Sequence, residues 1–239
     1  MNNKHQMMMM MINLNRTVKI FLIALICFAF LPAIHGQETD FQTRWEAEFR
    51  KQFKKNTQVA LSLEQHFKEN SLQYDRSIVT LIGKYDLPRG FDVRLGARYL
   101  LVKNRELQLE NRYRLHVDVN YKKSIGQFAA GLRLRTQTGL DDQVFRTDLM
   151  NNKLVSRLRL KGEYKIFGTR FTPDAGIEPY LHLNYRDGPQ FYRLRNFVGC
   201  SYQINLISSI EASYLFDYEL NDPTPANASI IWVTYKYQF

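Results

Sequence analysis

Along most of this chain, apolar and polar side chains change places at every residue. From Phe41 to Phe53 the odd positions carry Phe41, Trp45, Ala47, Phe49 and Phe53, interrupted only by Thr43 and Lys51, while the even positions are Gln42, Arg44, Glu46, Glu48, Arg50 and Gln52. A two-residue period gives a β-strand with one apolar and one polar face. The alternation resumes after Lys54-Lys55-Asn56 with Val59, Leu61, Leu63 and Phe67 against Ser62, Glu64, His66 and Lys68, which predicts a hairpin. Further strands are predicted from Ser77 to Leu87, Phe91 to Leu101, Asn111 to Tyr121, Phe128 to Thr138 and Leu154 to Phe167. Four more follow near Ile177 to Arg186, Tyr192 to Tyr202, Leu206 to Leu220 and Ala228 to Phe239, and no stretch has helical periodicity.

Two all-β architectures accommodate such strands. A soluble barrel or sandwich turns the apolar face inwards; a membrane barrel turns it outwards to lipid and keeps the polar face for the lumen. Strands of about ten residues, tilted near 45°, match the roughly 25 Å apolar band of an outer membrane. The connections alternate short and long, and Phe53, Tyr85, Phe91, Tyr121, Phe128, Phe167, Phe171, Tyr202 and Phe239 gather beside the short ones, as interfacial girdles do. The pattern predicts a transmembrane antiparallel up-and-down β-barrel of ten to twelve strands. The segments number eleven, but single-chain bacterial barrels have even strand numbers, so ten or twelve is the expectation.

The last strand, ASIIWVTYKYQF, sets Ile231, Val233, Tyr235, Tyr237 and Phe239 on one face and Trp232, Thr234, Lys236 and Gln238 on the other. A chain ending on an aromatic, with aromatics two and four residues before it, resembles the C-terminal strand of bacterial outer-membrane β-barrels. The resemblance implies that Tyr235, Tyr237 and Phe239 are an address for the barrel assembly machinery. At the other end Lys4, Arg16 and Lys19 precede an apolar run, Ile20 to Ile34, too short for a comfortable membrane-spanning helix. It reads as a signal peptide over residues 1–36, cleaved after Gly36, with the barrel over 37–239. Together these features point to a Gram-negative outer membrane, with outer-membrane lipid as the immediate partner. RWEAEFRKQFKKNTQVALSLEQHF, NRYRLHVDVNYKKSIGQFAAGLRLR and WVTYKYQF resemble an uncharacterised Bacteroidota outer-membrane barrel family, domain of unknown function 2490. That resemblance implies fold and location and supplies no catalytic residue.

Of 239 residues, 33 are basic and 23 acidic, a net charge of +10. Removing the leader, with its three basic and no acidic residues, leaves 30 against 23, or +7. Export argues against nucleic acid as the partner of that excess. A mean hydropathy of −0.37 excludes a helical membrane bundle, and it is compatible with a barrel in which only alternate residues meet lipid. Cys27 lies in the leader, so Cys200 is alone and no intramolecular disulfide is expected.

Alternation sends Arg94, Arg98, Arg112, Arg114, Arg133, Arg135, Arg157, Arg159, Arg193 and Arg195 into the lumen, with Lys161 and Lys165. Each guanidinium presents a rigid fork to carboxylate or phosphate. One reading is a narrow anion-preferring or acidic-oligosaccharide channel taking a small anionic solute, with Arg133/Arg135 and Arg157/Arg159 as the central pairs. The other is a non-conducting structural or interaction barrel in which these arginines pair with Glu46, Glu48, Glu64, Asp118, Glu163, Glu211, Asp217 and Glu219 and fill the interior. No catalytic constellation stands out. His66, His116 and His182 lack a serine partner at the required spacing, and His116 with Asp118 reads as a lumen salt bridge. Asp141, Asp142, Asp148, Asn151 and Asn152 lack calcium-loop spacing, and no cofactor or metal site is expected.

Overall fold

The computed structural model describes residues 39–103, 108–141, 154–185, 188–221 and 225–239. The leader and its cleavage point, and the candidate loop residues Asp142, Asp148, Asn151 and Asn152, lie outside the described residues. Within them are eleven strands: β1 (Thr39–Lys54), β2 (Thr57–Lys68), β3 (Gln73–Asp86), β4 (Phe91–Lys103), β5 (Leu109–Ile125), β6 (Phe128–Asp141), β7 (Leu154–Tyr164), β8 (Phe171–His182), β9 (Gln190–Gln203), β10 (Ser208–Glu219) and β11 (Asn227–Gln238). Each pairs antiparallel with its sequence neighbours, and β1 meets β11 to close a barrel. The expectation of an even strand count is therefore corrected. With eleven strands the first and last run in the same direction, so the seam is a parallel pair, Thr39 opposite Asn227 through Arg50 opposite Gln238. Parallel ladders are slightly weaker per residue than antiparallel ones but leave no open edge. The terminal strand is held on both sides: the Phe239 amide donates to the Arg50 carbonyl at 3.0 Å and the Gln238 amide to that of Ile207 at 2.8 Å.

The register preserves the alternation, so residues that face each other across a ladder share a face. Leu61, Leu81, Leu95, Leu115, Val117, Leu134 and Leu160 all point outwards and are exposed. Isolated soluble domains rarely present so continuous an apolar surface. At the short-turn end, cross-strand rings pack as Phe91–Tyr121, Phe128–Tyr164 and Phe171–Tyr202, with centroids 4.7, 4.6 and 4.8 Å apart, and Tyr237 lies 5.5 Å from Phe239. Tyr235 belongs to the same outer face, opposite Ala47 and Ile210. Phe67–Tyr74 and Tyr99–Tyr113 form aromatic pairs towards the opposite end.

Three local departures shape the interior. Between Tyr180 and Leu181 the β8–β9 register slips by a residue, placing both Tyr192 and Arg193 against Tyr180. Such a bulge re-aims a side chain, and Tyr192 packs 5.9 Å from Tyr180 and 6.3 Å from His182. A second bulge leaves Asp75 between Tyr74 and Arg76. On β8, Pro179 has no amide hydrogen to donate, and the β7–β8 pairing skips from Arg157–Tyr180 to Leu160–Ile177. The inner wall is not uniformly charged. Ile78, Leu100 and Val102 form one buried apolar patch, and Phe197, Leu215, Ala228 and Ile230, packed by Trp232, form another.

Candidate functional site

All ten arginines expected in the lumen stand on the inward face, and with Arg44 of β1 they fall into two groups. Each member of the first has a carboxylate within 4 Å. Arg135 donates twice to Asp118, at 2.6 Å from both Nε and Nη2. Glu178 takes Arg133 at 2.8 Å on one oxygen and Arg159 at 2.7 Å on the other. Asp118 and Glu178 are both 0% exposed. Arg195 makes a similar fork with Asp217, at 2.6 and 2.7 Å, and Arg193 reaches Glu219 at 2.7 Å. Nearer the short turns, Lys161 lies 3.4 Å from Asp174 and 3.7 Å from Glu211, while Lys236 also binds Glu211. Arg94 pairs with Asp92 at 2.8 Å, and Arg112 with Glu110 at 2.9 Å. Bidentate arginine–carboxylate pairs are the strong, directional members of their class. The pairs of Arg133, Arg135, Arg159, Arg193 and Arg195 join strands one or two apart, β5 to β6, β6 and β7 to β8, and β9 to β10, so they thicken the wall; those of Arg94 and Arg112 lie within one strand.

The second group is different. Arg44, Arg114 and Arg157 have no carboxylate within 4 Å among the described residues. Arg44 lies over the Trp232 ring, 5.7 Å from its centroid, and its Nη2 donates to Gln42 at 3.4 Å. Arg157, 9% exposed, stacks 4.9 Å from the Tyr180 ring, donates to the Tyr180 hydroxyl at 3.3 Å and contacts Gln137. Arg114 feels the charges of Arg76, Arg98 and Arg157; Arg44 feels those of Arg195 and Arg76 and the opposite charge of Asp217, and Arg157 feels the opposite charge of Glu178. These interactions link β1 with β9 and β5 with β3 and β7, so the group converges across the lumen. Tyr180 is its aromatic hub, with Arg195 and Arg193 also over its ring at 5.5 and 5.9 Å. Guanidinium on an aromatic face gains about 0.5–2 kcal/mol, depending on desolvation, and leaves the charge uncancelled.

The group also holds unused donors. The Nε atoms of Arg44 and Arg157, the Trp232 indole nitrogen and both His116 ring nitrogens are buried without a hydrogen-bond partner, as are the Nε atoms of Arg98, Arg133 and Arg193 outside the group. His116 fits only because position 96 is glycine, where a Cβ would stand 2.1 Å from the imidazole. The expected His116–Asp118 salt bridge does not form, because Asp118 gives both oxygens to Arg135.

Of the four central arginines singled out from the sequence, Arg133, Arg135 and Arg159 are thus tied to carboxylates, and Arg157 alone belongs to the convergent group. One member of that group, Arg44, was missing from the sequence-derived column although it lies on a predicted strand; Arg76, which precedes the predicted strand and pairs with Asp75 at 2.6 Å, was missing too. Glu178 and Asp174 were missing from the acids. Among the described residues no cluster of side chains suited to a metal ion is present.

A family model described as a protein of unknown function (DUF2490) matches residues 41–228. The chain belongs to that family. The DUF2490 match begins in β1 and reaches the start of β11, so it takes in both arginine groups. Among solved structures the chain is similar to the NanC porin in a rhombohedral crystal form, at 16% identity and a TM-score of 0.48, over 84% of this chain and all of that one. That likeness is too distant to inform the lumen. No curated protein matches the chain.

Proposed function

We propose that this DUF2490 member is an outer-membrane β-barrel whose lumen passes anions in preference to cations, with acidic oligosaccharides as the extended solutes of matching charge. The carrying observation is the convergence of Arg44, Arg114 and Arg157 without carboxylate partners. Charges lining a barrel tune its selectivity, and a field enclosed by protein is weakened less than one in bulk water. The outward apolar band and its two aromatic levels support lipid as the surrounding medium. The Tyr235, Tyr237 and Phe239 face is the address read by the assembly machinery; changing Tyr237 and Phe239 to Ser abolishes heat-modifiable, protease-resistant barrel in the outer membrane while export continues. The test of transport is current through the purified barrel in a planar bilayer under a salt gradient, where a reversal potential of anion sign is expected. Insertion without conductance favours the second reading, a structural or interaction barrel. The observation on that side is the completely buried acid belt of Asp118 and Glu178.

A further inference from the structure

We infer that the convergent arginines form a discrete, saturable binding site for a ligand carrying two or more oxyanion groups. This deepens the proposed anion preference and rests on that reading only in requiring that the lumen admit solute. A selective pore needs only a positive field; a site needs unsatisfied donors aimed at a common space. Here the donors are specific. Arg114 makes no hydrogen bond among the described residues, and Arg44 and Arg157 each keep a buried Nε without a partner. The Trp232 indole N–H and the single N–H of a neutral His116 ring also lack partners.

Nearby acids are already engaged. Asp217 and Glu219 are held by Arg195 and Arg193, and Glu64 by His66 at 3.1 Å with Arg98 at 3.8 Å. Glu46 accepts from Ser62 at 2.6 Å and Thr234 at 3.1 Å. A desolvated cation with no carboxylate in contact is unfavourable, and here Arg114 and Arg157 repel each other while Arg44 is repelled by Arg195 and Arg76. Arg44, Arg114 and Arg157 also stand on three separate strands, β1, β5 and β7. One carboxylate can occupy one guanidinium fork, whereas a ligand with two or three such groups engages forks on different walls at once. Multivalent engagement of this kind raises affinity by far more than the added charge alone.

The test is isothermal titration of the refolded mature barrel in detergent, free of divalent cations, with citrate as the polyvalent probe and acetate as the monovalent one. Saturable citrate binding at least about tenfold tighter than acetate is expected. Arg114→Gln with Arg157→Gln should weaken citrate binding about tenfold or more, while Lys84→Gln, outside the group and paired with Asp86, leaves it unchanged. Heat-modifiable migration verifies that each variant folds. Should the double variant fail to fold, the single Arg44→Gln variant and the wild-type citrate-to-acetate ratio decide alone. Equal affinity for the two probes, or a double variant that binds citrate as the wild type does, overturns the site. Anion-selective current without saturable citrate binding refutes the site and leaves the channel standing; saturable binding by a barrel that carries no current refutes the channel and leaves the site.

Discussion

Arg135 and Arg157 face each other across the β6–β7 ladder, on the same inward face, and both are almost fully buried. Arg135 meets Asp118 with two short hydrogen bonds; Arg157 meets the ring and hydroxyl of Tyr180. The difference is made by the next strand out. On β5, Asp118 stands opposite Arg135, while on β8 the residue opposite Arg157 is Tyr180. A carboxylate cancels the charge and makes the arginine part of the wall, whereas an aromatic ring holds the guanidinium and leaves its charge to the lumen. Residue type and facing therefore do not decide role in this barrel; the cross-strand partner does.

The comparison breaks most visibly at Glu178. Replacing it with Ala leaves Arg133 and Arg159 half-buried without their carboxylate, and a loss of up to about 3–5 kcal/mol is expected, read as the urea midpoint of the folded barrel. Arg157→Gln removes a buried cation with no carboxylate within 4 Å among the described residues and should cost less, about 0.5–2 kcal/mol for the lost contact with the Tyr180 ring, part of it offset because repulsion from Arg114 is relieved. Equal losses from the two variants would erase the distinction between the groups.

A sharper form is a pair of double-mutant cycles. Asp118→Ala with Arg135→Gln should show a favourable coupling of about 1–3 kcal/mol. Arg114→Gln with Arg157→Gln should show coupling of the opposite sign, because the two arginines repel. Favourable coupling in the second cycle would mean that the two guanidinium groups share a partner. A smaller effect belongs to the hub: Tyr180→Leu removes the ring beneath Arg157, Arg193 and Arg195 and should cost about 0.5–2 kcal/mol, with anion preference retained because no charge is lost. A reversal potential that collapses in Tyr180→Leu would show that the ring orients the charge rather than merely supporting it.

Much of this architecture was legible in the chain. Alternation fixes which residues face inwards, because the side-chain period of a strand is two, and the aromatic clusters at the short turns come from the same count. What alternation leaves out is partnership, which depends on strand register and on the next strand's chemistry. Glu178 escaped because Pro173 and Pro179 interrupt the strand signal of β8, although the same alternation that places Tyr180 inwards places Glu178 there too. Tyr192 turns inwards only through the bulge opposite Tyr180, which no periodic rule anticipates. Arg44 was visible on the polar face of β1, but its significance depends on Trp232 of the last strand, brought beside it by the parallel seam. The expected even strand number rested on the habit of related barrels, and nothing in the physics of a parallel seam forbids eleven.

The most direct measurement of the central claim is the reversal potential of the wild-type barrel in a salt gradient beside that of the Arg44→Gln, Arg114→Gln, Arg157→Gln triple variant and the Arg135→Gln, Asp118→Asn double variant, which removes one charge of each sign. The account predicts anion preference in the wild type, its loss or reversal in the first variant, and little change in the second beyond a loss of stability, because that variant removes charges already neutralised in the wall. Unchanged selectivity in the first variant, or a cation preference in the wild type, would contradict it.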